Sequence, residues 1–486
     1  MSGAISGRSR WLALTVLCLG VLMIVLDTTV VNVALPSIRA DLGFTETSLV
    51  WVVNAYLLTF GGFLLLSGRL GDLYGHRTLF LWGITSFTLA SLACGLANSQ
   101  QGLIFARAVQ GIGGAVVNAV ALSLLMTLFT AEAERAKAMG VFGFVCAGGG
   151  SVGMLLGGFL TSSVNWHWVF FVNVPIGVLV FGLCRVLLPR SAGQTANRHL
   201  DVGGVVTVTA ALMLAVYAIV NGNAAGWLSA PTLGFLGLAL GCFAAFLFIQ
   251  THVRAPLVPL GLFRQRNLST VGVVCVLWAA GMFAWFFISA LYLQRVLSYS
   301  SLDVGLAFLP ANLIMAIFSV GLSARLVMRF GQKRPLVIGL SLAAVGLALF
   351  SRMPVDGHFV PDVLPGMILI GTGAGLAFNP MLLAAMSDVE LSQSGLASGV
   401  VNTAFMMGGA LGLAILASGA SGRTDELVAA GSPALVAINS GYHLAFGTGA
   451  GSAALGALLA ALLLRSPSSA AGTVTASQTH SAAGSF

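Results

Sequence analysis

The stretch "LGVLMIVLDTTVVNVALPSI", residues 19–38, is apolar enough to lie in a lipid bilayer, yet it contains an aspartate, Asp27. A membrane-spanning helix needs about 20 predominantly apolar residues, and this stretch has that length. An ionised carboxylate at such a depth is costly, so it should face the protein interior or a water-filled cavity. Burial also favours its neutral, protonated form. Asp27 is therefore a candidate proton-binding residue, with a purely structural carboxyl group as the alternative.

The composition extends this pattern to the whole chain. Of its 486 residues, 58% are hydrophobic and only 7% are charged, whereas soluble proteins carry about 25% charged residues. Apolar runs of spanning length predict an all-α polytopic membrane protein with 14 transmembrane helices. The predicted spans are 11–35, 48–70, 78–97, 102–128, 138–161, 168–188, 202–221, 230–250, 269–293, 303–327, 335–351, 362–386, 394–418 and 442–464.

The basic residues are distributed unevenly over the loops. With a cytoplasmic N-terminus, the inner loops and helix ends hold 17 of the 22 Lys and Arg residues and the outer loops hold four. Basic residues concentrate on the cytoplasmic side of membrane proteins. We therefore expect both termini inside the cell, in a bacterial cytoplasmic membrane. The net charge of +8 is spread over many loops, so we expect no nucleic-acid partner.

Two stretches of the chain resemble each other. "GRLGDLYGHR", residues 68–77, and "ARLVMRFGQK", residues 324–333, share an arginine, a leucine and a glycine in an ungapped alignment. Each follows the second helix of a six-helix run, which indicates a duplicated unit with a substrate site between the halves. Two further helices fill the excess length. The predicted regions are an N-terminal bundle (1–190), a two-helix insert (191–262), a C-terminal bundle (263–465) and a disordered tail (466–486).

The insert and the tail have different compositions. The insert has no acidic residue between positions 203 and 250, and intramembrane charges mark transport pathways. We therefore expect a spacer packed outside the transport core rather than a second pathway. The tail is rich in Ser, Ala and Thr and has no apolar periodicity, which is typical of disorder.

One cation lies as deep in the membrane as Asp27. Arg107 occurs in "ARAVQGIGGAVVNAVAL", residues 106–122, on the fourth predicted helix. Its guanidinium group is always charged and needs an acceptor. The candidates are Asp27, backbone carbonyls and the amides of Gln110 and Asn118. Pairing with Asp27 would let the acid alternate between Arg107 and a proton, while a purely structural arginine is the competing interpretation.

The loop between the second and third helices combines charges with glycines. Asp72 lies between Arg69 and Arg77, and these three residues could form a charge network that stabilises one conformation. Gly68 and Gly75 permit backbone turns that other residues resist. A loop that only sets topology would need the arginines alone.

The fifth helix, "VFGFVCAGGGSVGMLLGGFL", has glycines at every fourth position. Gly149, Gly153 and Gly157 form a smooth stripe, and Gly158 follows directly. Such a stripe lets another helix approach closely and slide. By itself this spacing indicates packing rather than chemistry.

These motifs together resemble the 14-helix drug:proton antiporters of the major facilitator superfamily. The similar stretches are "LDTTVVNVALPSI", "GRLGDLYGHR", "RAVQGIGGA" and "WHWVFFVNVPIG", and the resemblance covers nearly the whole chain. It implies an exporter that expels hydrophobic or amphipathic compounds against inward proton flow, with no cofactor beyond the coupling proton. Asp27 would be the protonation site, Arg107 its partner, and Asp72 part of a gating loop in a two-bundle fold.

The chain departs from the family pattern at several positions. Met154 replaces the usual proline of the fifth-helix motif, which removes or moves a kink. Phe405 and Met406 stand where relatives often carry arginine and glutamine, and His167 stands where an arginine is usual.

Substrate contacts should come from cavity-facing aromatic, methionine and amide side chains, since flexible methionines suit varied ligands. With one deep acid, neutral or monovalent lipophilic substrates fit better than divalent cations. We expect membrane lipids as the other partners and a functional monomer. The candidates are Asn32, Asn54, Tyr56, Phe283, Trp285, Tyr292, Asn379, Asn402, Phe405 and Met406.

Other functions are less consistent with the sequence. Transport of one specific metabolite, including its uptake with protons, is the alternative. A membrane-embedded enzyme would need a cluster of catalytic groups, but the seven histidines are scattered. The six cysteines lie singly without CxxC spacing, so we expect neither a metal site nor disulfides.

Overall fold

The computed structural model describes residues 7–129, 131–188, 200–253, 256–389 and 394–465. Within these residues the regular structure is helical, without β-strands. Thirteen of the described helices are long and apolar enough to cross a membrane, which confirms the all-α polytopic fold. The predicted tail, 466–486, and the start of the predicted insert, 191–199, lie outside the described residues.

The helices are numbered here in chain order. The first six are α1 (Gly7–Leu42), α2 (Glu46–Tyr74), α3 (His76–Gly95), α4 (Gln100–Leu128), α5 (Glu132–Ser163) and α6 (Asn173–Leu187). One helical turn at Trp168–Phe171 precedes α6. The next two are α7 (Val202–Ala225) and α8 (Ala230–His252). The last six are α9 (Arg266–Arg295), α10 (Ser301–Ile317), α11 (Lys333–Phe350), α12 (Leu364–Met386), α13 (Ser394–Ala429) and α14 (Ala434–Leu463).

The tenth predicted span differs from the others. Instead of one α-helix over 303–327, α10 has 17 residues and passes into a π-helical turn at Phe318–Leu322 and a short helix at Ser323–Phe330. A π-turn widens the backbone hydrogen-bond ladder and interrupts a regular helix. With this span interrupted, thirteen helices of spanning length remain among the described residues. The count of fourteen, like the N-in and C-in orientation, therefore stays a prediction.

The packing of the first six helices recurs in the last six. In the N-terminal bundle α1 packs against α5 and α6, while α2 and α3 pack against α4. In the C-terminal bundle α9 packs against α13 and α14, while α10 and α11 pack against α12. The bundles meet at two seams, α2 with α13 and α5 with α10. This is the arrangement of parallel repeats related by an axis along the membrane normal.

The two similar loops have the same backbone geometry at their shared glycine. Gly75 ends α2 with φ 89°, and Gly331 ends the helix Ser323–Phe330 with φ 75°. Side chains other than glycine strongly disfavour this left-handed region. The aligned glycines therefore meet the same local requirement in each bundle.

The insert is attached beside one seam. Helix α7 packs against both α2 and α13, and α8 packs against α7. Asn223 Nδ2 of α7 donates to the Ser418 carbonyl oxygen of α13 at 2.6 Å. At the other end of α7, buried Asp201 accepts hydrogen bonds from the Gly204 amide and from Gln250 Nε2 of α8. The α2–α13 seam is thus covered by α7.

Candidate functional site

The structure brings the two deep charges together. Asp27 of α1 is 0% exposed and Arg107 of α4 is 2% exposed. Arg107 Nη1 donates to Asp27 Oδ2 at 2.5 Å. A charge pair out of water persists only if further hydrogen bonds satisfy its remaining donors and acceptors.

Two amides complete the surroundings of the carboxylate. Gln110 Nε2 donates to Asp27 Oδ1 at 2.7 Å, and Asn173 Nδ2 of α6 donates to the same oxygen at 3.0 Å. Both amide side chains are 0% exposed. All three partners are donors, and an ionised carboxylate is an acceptor only. The arrangement therefore fits the ionised form of Asp27.

Helix α4 carries two of the three residues that donate to Asp27, Arg107 and Gln110. Arg107 and Gln110 are three residues apart, so both side chains lie on the same helix face. Gln110 Oε1 also accepts from Arg107 Nη1 at 2.7 Å, which orients the guanidinium group. Gly111 lies directly against the Tyr56 backbone, where a side chain would collide. Close approach of α4 to α2 thus depends on this glycine.

The remaining contacts of Arg107 come from α2 and from the turn before α6. Its Nε donates to the Val52 carbonyl oxygen at 3.0 Å. The Tyr56 ring centroid lies 4.4 Å from Cζ and that of Phe170 5.7 Å, distances typical of cation–π contacts. The structure therefore places Tyr56, predicted as a substrate contact, against the charge pair.

Asn173 and Ser91 belong to this network but had no assigned role in the sequence. Asn173 Nδ2 also donates to Ser91 Oγ of α3 at 3.0 Å, and Ser91 Oγ donates to the Phe170 carbonyl oxygen at 2.9 Å. Their only sequence signal is polarity within apolar spans. That signal does not reveal which polar residues of separate helices meet.

The glycine stripe of α5 lies against the helix that carries Asp27. Side-chain atoms added at Gly149, Gly153 or Gly157 would meet residues 22 to 30 of α1. Gly158 instead faces the backbone of Ser301 at the α5–α10 seam. The stripe therefore sets the distance between α1 and α5. Gly158 sets the distance between α5 and α10, which belong to different bundles.

The loop between α2 and α3 is described only in part. Arg77 Nη2 donates to the Arg185 carbonyl oxygen of α6 at 2.5 Å. Gly75 has the positive φ given above, and Gly68 has open space beside it. Arg69 is half-buried, and the Asp72 side chain lies outside the described side chains. The charge network around Asp72 therefore stays a prediction.

Two predicted substrate contacts belong to an aromatic cluster of the C-terminal bundle, formed by Trp278, Phe283, Phe378 and Phe405. The Phe405 ring of α13 lies 5.4 Å from Trp278 and Phe283 of α9 and 6.1 Å from Phe378 of α12. Phe283 packs against two large apolar clusters, each of which contains residues of both bundles. The sequence missed Trp278 and Phe378 because helices apolar all round show no preferred face.

The other substrate candidates have varied surroundings. Asn54 Nδ2 donates across the α2–α13 seam to the Ala410 carbonyl oxygen at 2.9 Å, and Met406 lies against Gly61 at the same seam. The amides of Asn32, Asn379 and Asn402 donate to the backbone oxygens of Thr28, Ser319 and Ser398.

Two further candidates, Trp285 and Tyr292, lie within the C-terminal bundle. Trp285 packs against Phe308 and Phe350 inside the C-terminal bundle, and Tyr292 donates to the Pro354 carbonyl oxygen at 2.8 Å. Both side chains are buried there. Their position on an evenly apolar helix gave no indication of direction.

Polar contacts join the bundles at the end that holds the α1–α2 connection, here called the first-loop end. Glu46 of α2 forms an ion pair with Arg295 of α9. The adjacent Gln294 Nε2 donates to the Val33 carbonyl oxygen of α1 at 2.9 Å. Arg295 Nη1 also approaches the Tyr442 hydroxyl of α14 at 3.5 Å. The Glu46–Arg295 pair and the Gln294–Val33 bond hold the two bundles together at this end, while the Tyr442 contact lies within the C-terminal bundle.

Comparison with known proteins agrees with this architecture. The puromycin resistance protein pur8 of Streptomyces alboniger is 39% identical, over 95% of this chain and 93% of its own length. The cephamycin export protein CmcT of Amycolatopsis lactamdurans is 38% identical, over 88% of this chain and 89% of its own length. Helices and bacterial relatives together indicate a multi-pass protein of the cytoplasmic membrane.

Solved structures share the fold at low sequence identity. An auto-inhibited POT family peptide transporter matches with a TM-score of 0.66 and 17% identity, over 94% of this chain and 96% of that chain. The sequence profile of the Major Facilitator Superfamily matches residues 17–413. Profile, relatives and fold thus agree, and the chain belongs to the Major Facilitator Superfamily.

Proposed function

We propose that this protein exports lipophilic antibiotics or related drugs across the cytoplasmic membrane, coupled to inward proton flow. The observation that carries the proposal is the buried pair of Asp27 and Arg107, whose contacts fit an ionised carboxylate. A buried acid with a single cationic partner can exchange that partner for a proton. The relatives named for puromycin resistance and cephamycin export support the direction and the substrate class.

The transport cycle follows from the two forms of Asp27. In the outward-facing protein Asp27 takes up a proton, and the neutral side chain no longer attracts Arg107. The bundles then rock so that the site faces the cytoplasm. A drug enters from the cytoplasm or the inner leaflet, the proton leaves, Asp27 pairs with Arg107 again, and the loaded protein returns.

The membrane potential supplies part of the driving force. One charge moving through 100 mV contributes about 2.3 kcal/mol. A factor of ten in concentration corresponds to about 1.4 kcal/mol. One proton per cycle can therefore support a drug gradient of about 1.6 decades, on the order of fortyfold.

The two seams allow the bundles to move against each other. Opening the first-loop end requires separation of Glu46 from Arg295 and of Gln294 from Val33. At the α5–α10 seam, Gly158 presents a smooth surface to Ser301, which suits sliding of packed helices. Both seams lie within one chain, so a monomer in the lipid bilayer is sufficient.

The aromatic cluster supports lipophilic substrates. Its four rings lie on three helices, and Phe378 is 41% exposed beside Trp278 and Phe405. Aromatic surfaces bind flat apolar molecules and, through their faces, monovalent cations. We assign Phe283 and Phe405 to this substrate surface together with Trp278 and Phe378.

Transport in proteoliposomes tests the proposal. An imposed pH gradient should drive accumulation of puromycin or a cephamycin in vesicles holding the native chain. Asp27→Asn should abolish this coupled movement, whereas Asp356→Asn, a charge loss in the exposed α11–α12 connection, should not. Equal coupled transport by native chain and Asp27→Asn would refute the proton site. Net uptake by cells instead of loss would favour the metabolite alternative.

A further inference from the structure

One buried acceptor beside Asp27 has no partner. Asn173 Nδ2 donates to Asp27 Oδ1 and to Ser91 Oγ, each at 3.0 Å. The amide oxygen on the same side chain, Oδ1, is buried without a hydrogen bond to any described residue. Buried polar atoms nearly always have a partner, so an orphaned oxygen in a functional network needs an explanation.

Protonated Asp27 needs a hydrogen-bond acceptor, whereas the ionised carboxylate needs donors. A protonated carboxyl group has an O–H donor that requires an acceptor. At Oδ2 the neighbour is Arg107, which has donors only. At Oδ1 the neighbours are two amides, and Gln110 Oε1 already accepts from Arg107 Nη1 and from Cys94 Sγ. Of the two amide oxygens, that of Asn173 alone is available.

The other ionisable groups near Asp27 do not offer a better acceptor. They are Arg107 of α4, Tyr56 of α2 and Cys94 of α3. Helix α5 presents glycines to this part of α1. Cys94 donates its thiol to Gln110, and Tyr56 lies against the Arg107 guanidinium without a hydrogen bond to Asp27.

We propose that Asn173 is a positioning residue that reverses its side-chain amide when Asp27 binds a proton. A half turn of the amide brings its oxygen to the place of Nδ2, 3.0 Å from Asp27 Oδ1. Asn173 then donates to the ionised acid and accepts from the neutral one. After the reversal, Ser91 turns its single O–H from the Phe170 carbonyl oxygen to the Asn173 amide oxygen, since a hydroxyl group can donate or accept.

The proton itself comes from the outer aqueous phase, binds Asp27 Oδ1 and leaves toward the cytoplasm. Asn173 rotates and exchanges no proton. This inference rests on the proposed function, since it requires that Asp27 is the residue that protonates.

Infrared difference spectroscopy of the full chain in lipid vesicles tests the amide reversal without a substrate. On acidification, protonated Asp27 gives a carboxylic acid C=O band, which is identified by its loss in Asp27→Asn. When the O–H of the protonated carboxyl group donates to an amide oxygen, the C=O stretching frequency of that carboxyl group falls. In Asn173→Leu we therefore expect the band at higher wavenumber than in the native chain.

Three variants separate this role from simple packing. Gln110→Leu removes a donor to the ionised acid but no available acceptor, so the Asp27 band should stay in place. Tyr56→Phe should also leave the band in place. Asn439→Leu is the matched control, because Asn439 is a buried amide of α14 whose Nδ2 contacts the Met353 carbonyl oxygen and His443 Nε2, and whose oxygen has no partner among the described residues. It should leave the Asp27 band in place.

A measurement on the native chain covers the case in which Asn173→Leu does not fold. With asparagine labelled by 13C at the side-chain carbonyl, protonation of Asp27 should lower the frequency of one labelled band, and Asp27→Asn should abolish that change. An unshifted Asp27 band in Asn173→Leu, or no change in the labelled band, would overturn the amide reversal alone. Absence of any band that depends on Asp27 would instead refute the proposed proton site.

Discussion

Glu46, at the start of α2, is ion-paired with Arg295, at the end of α9. The pair joins the two bundles at the first-loop end, beside the bond from Gln294 to Val33. The Glu46 and Arg295 side chains are 18% and 22% exposed, so water screens their attraction only in part. Any conformation open at this end must separate them.

Neutralising this pair should favour opening of the first-loop end. Exposed ion pairs contribute up to about 1 kcal/mol, so Glu46→Gln should raise the open population by up to about fivefold. Spin labels can be placed at positions 98 and 352, in exposed connections of the two bundles at this end. In Glu46→Gln a larger fraction of molecules should show the longer label-to-label distance than in the native chain.

The matched control is Arg423→Gln. It breaks the ion pair with Glu426 inside the single helix α13 and should leave the distances unchanged. Exchange of the charges, Glu46→Arg with Arg295→Glu, should restore the closed population. A distance distribution in Glu46→Gln equal to the native one would show that the pair does not hold this end closed.

Removal of Arg107 alone should be more harmful than removal of both charges. Arg107→Leu leaves the Asp27 carboxylate buried without its cation, and breaking a buried pair in this way costs about 3 to 5 kcal/mol. The variant should unfold at lower temperature in detergent at neutral pH. Arg107→Leu combined with Asp27→Asn should recover much of this loss. Equal stability of the single and double variants would contradict a direct charge interaction.

A methyl group on the glycine stripe of α5 should separate α5 from α1. An added Cβ at Gly157 would lie 2.8 Å from the Val30 carbonyl oxygen and 2.9 Å from its Cα. Backbone atoms cannot rotate away, so Gly157→Ala should destabilise by about 1 to 3 kcal/mol and slow transport. Gly148→Ala, on the same helix but in open space, is the control. Similar thermal unfolding of both variants would count against the contact.

Loss of the central ring of the aromatic cluster should weaken substrate binding. Phe405 contacts Trp278, Phe283 and Phe378. Aromatic pairs contribute about 0.5 to 1.5 kcal/mol beyond burial. Phe405→Ala should therefore raise the KM for an aromatic drug such as puromycin by roughly tenfold. Phe105→Ala removes a 72% exposed ring of α4 and should leave KM unchanged. An unaltered KM in Phe405→Ala would place the substrate elsewhere.

The positions of the helices could be predicted from apolar length because a chain in lipid must satisfy its backbone hydrogen bonds within each helix. Each of the fourteen predicted spans overlaps a described helix, including the interrupted α10. Their lateral contacts could not be predicted in the same way. Asp27 and Arg107 were identifiable as rare charges, whereas Asn173 and Ser91 are ordinary polar residues whose role depends on helix packing.

Side-chain direction was the least predictable property. Trp285 and Phe283 are two residues apart on α9, yet Trp285 packs against Phe308 and Phe350, whereas Phe283 packs against Phe405 of α13. A helix without a polar face carries no periodic signal that separates these two directions.

The position of α7 makes the two sides of the transporter unequal. Helix α7 covers the α2–α13 seam, with Asn223 bonded to Ser418, whereas neither inserted helix packs over the α5–α10 seam among the described residues. Among the described residues, the insert therefore separates one seam from the surrounding lipid and leaves the other seam without such a cover.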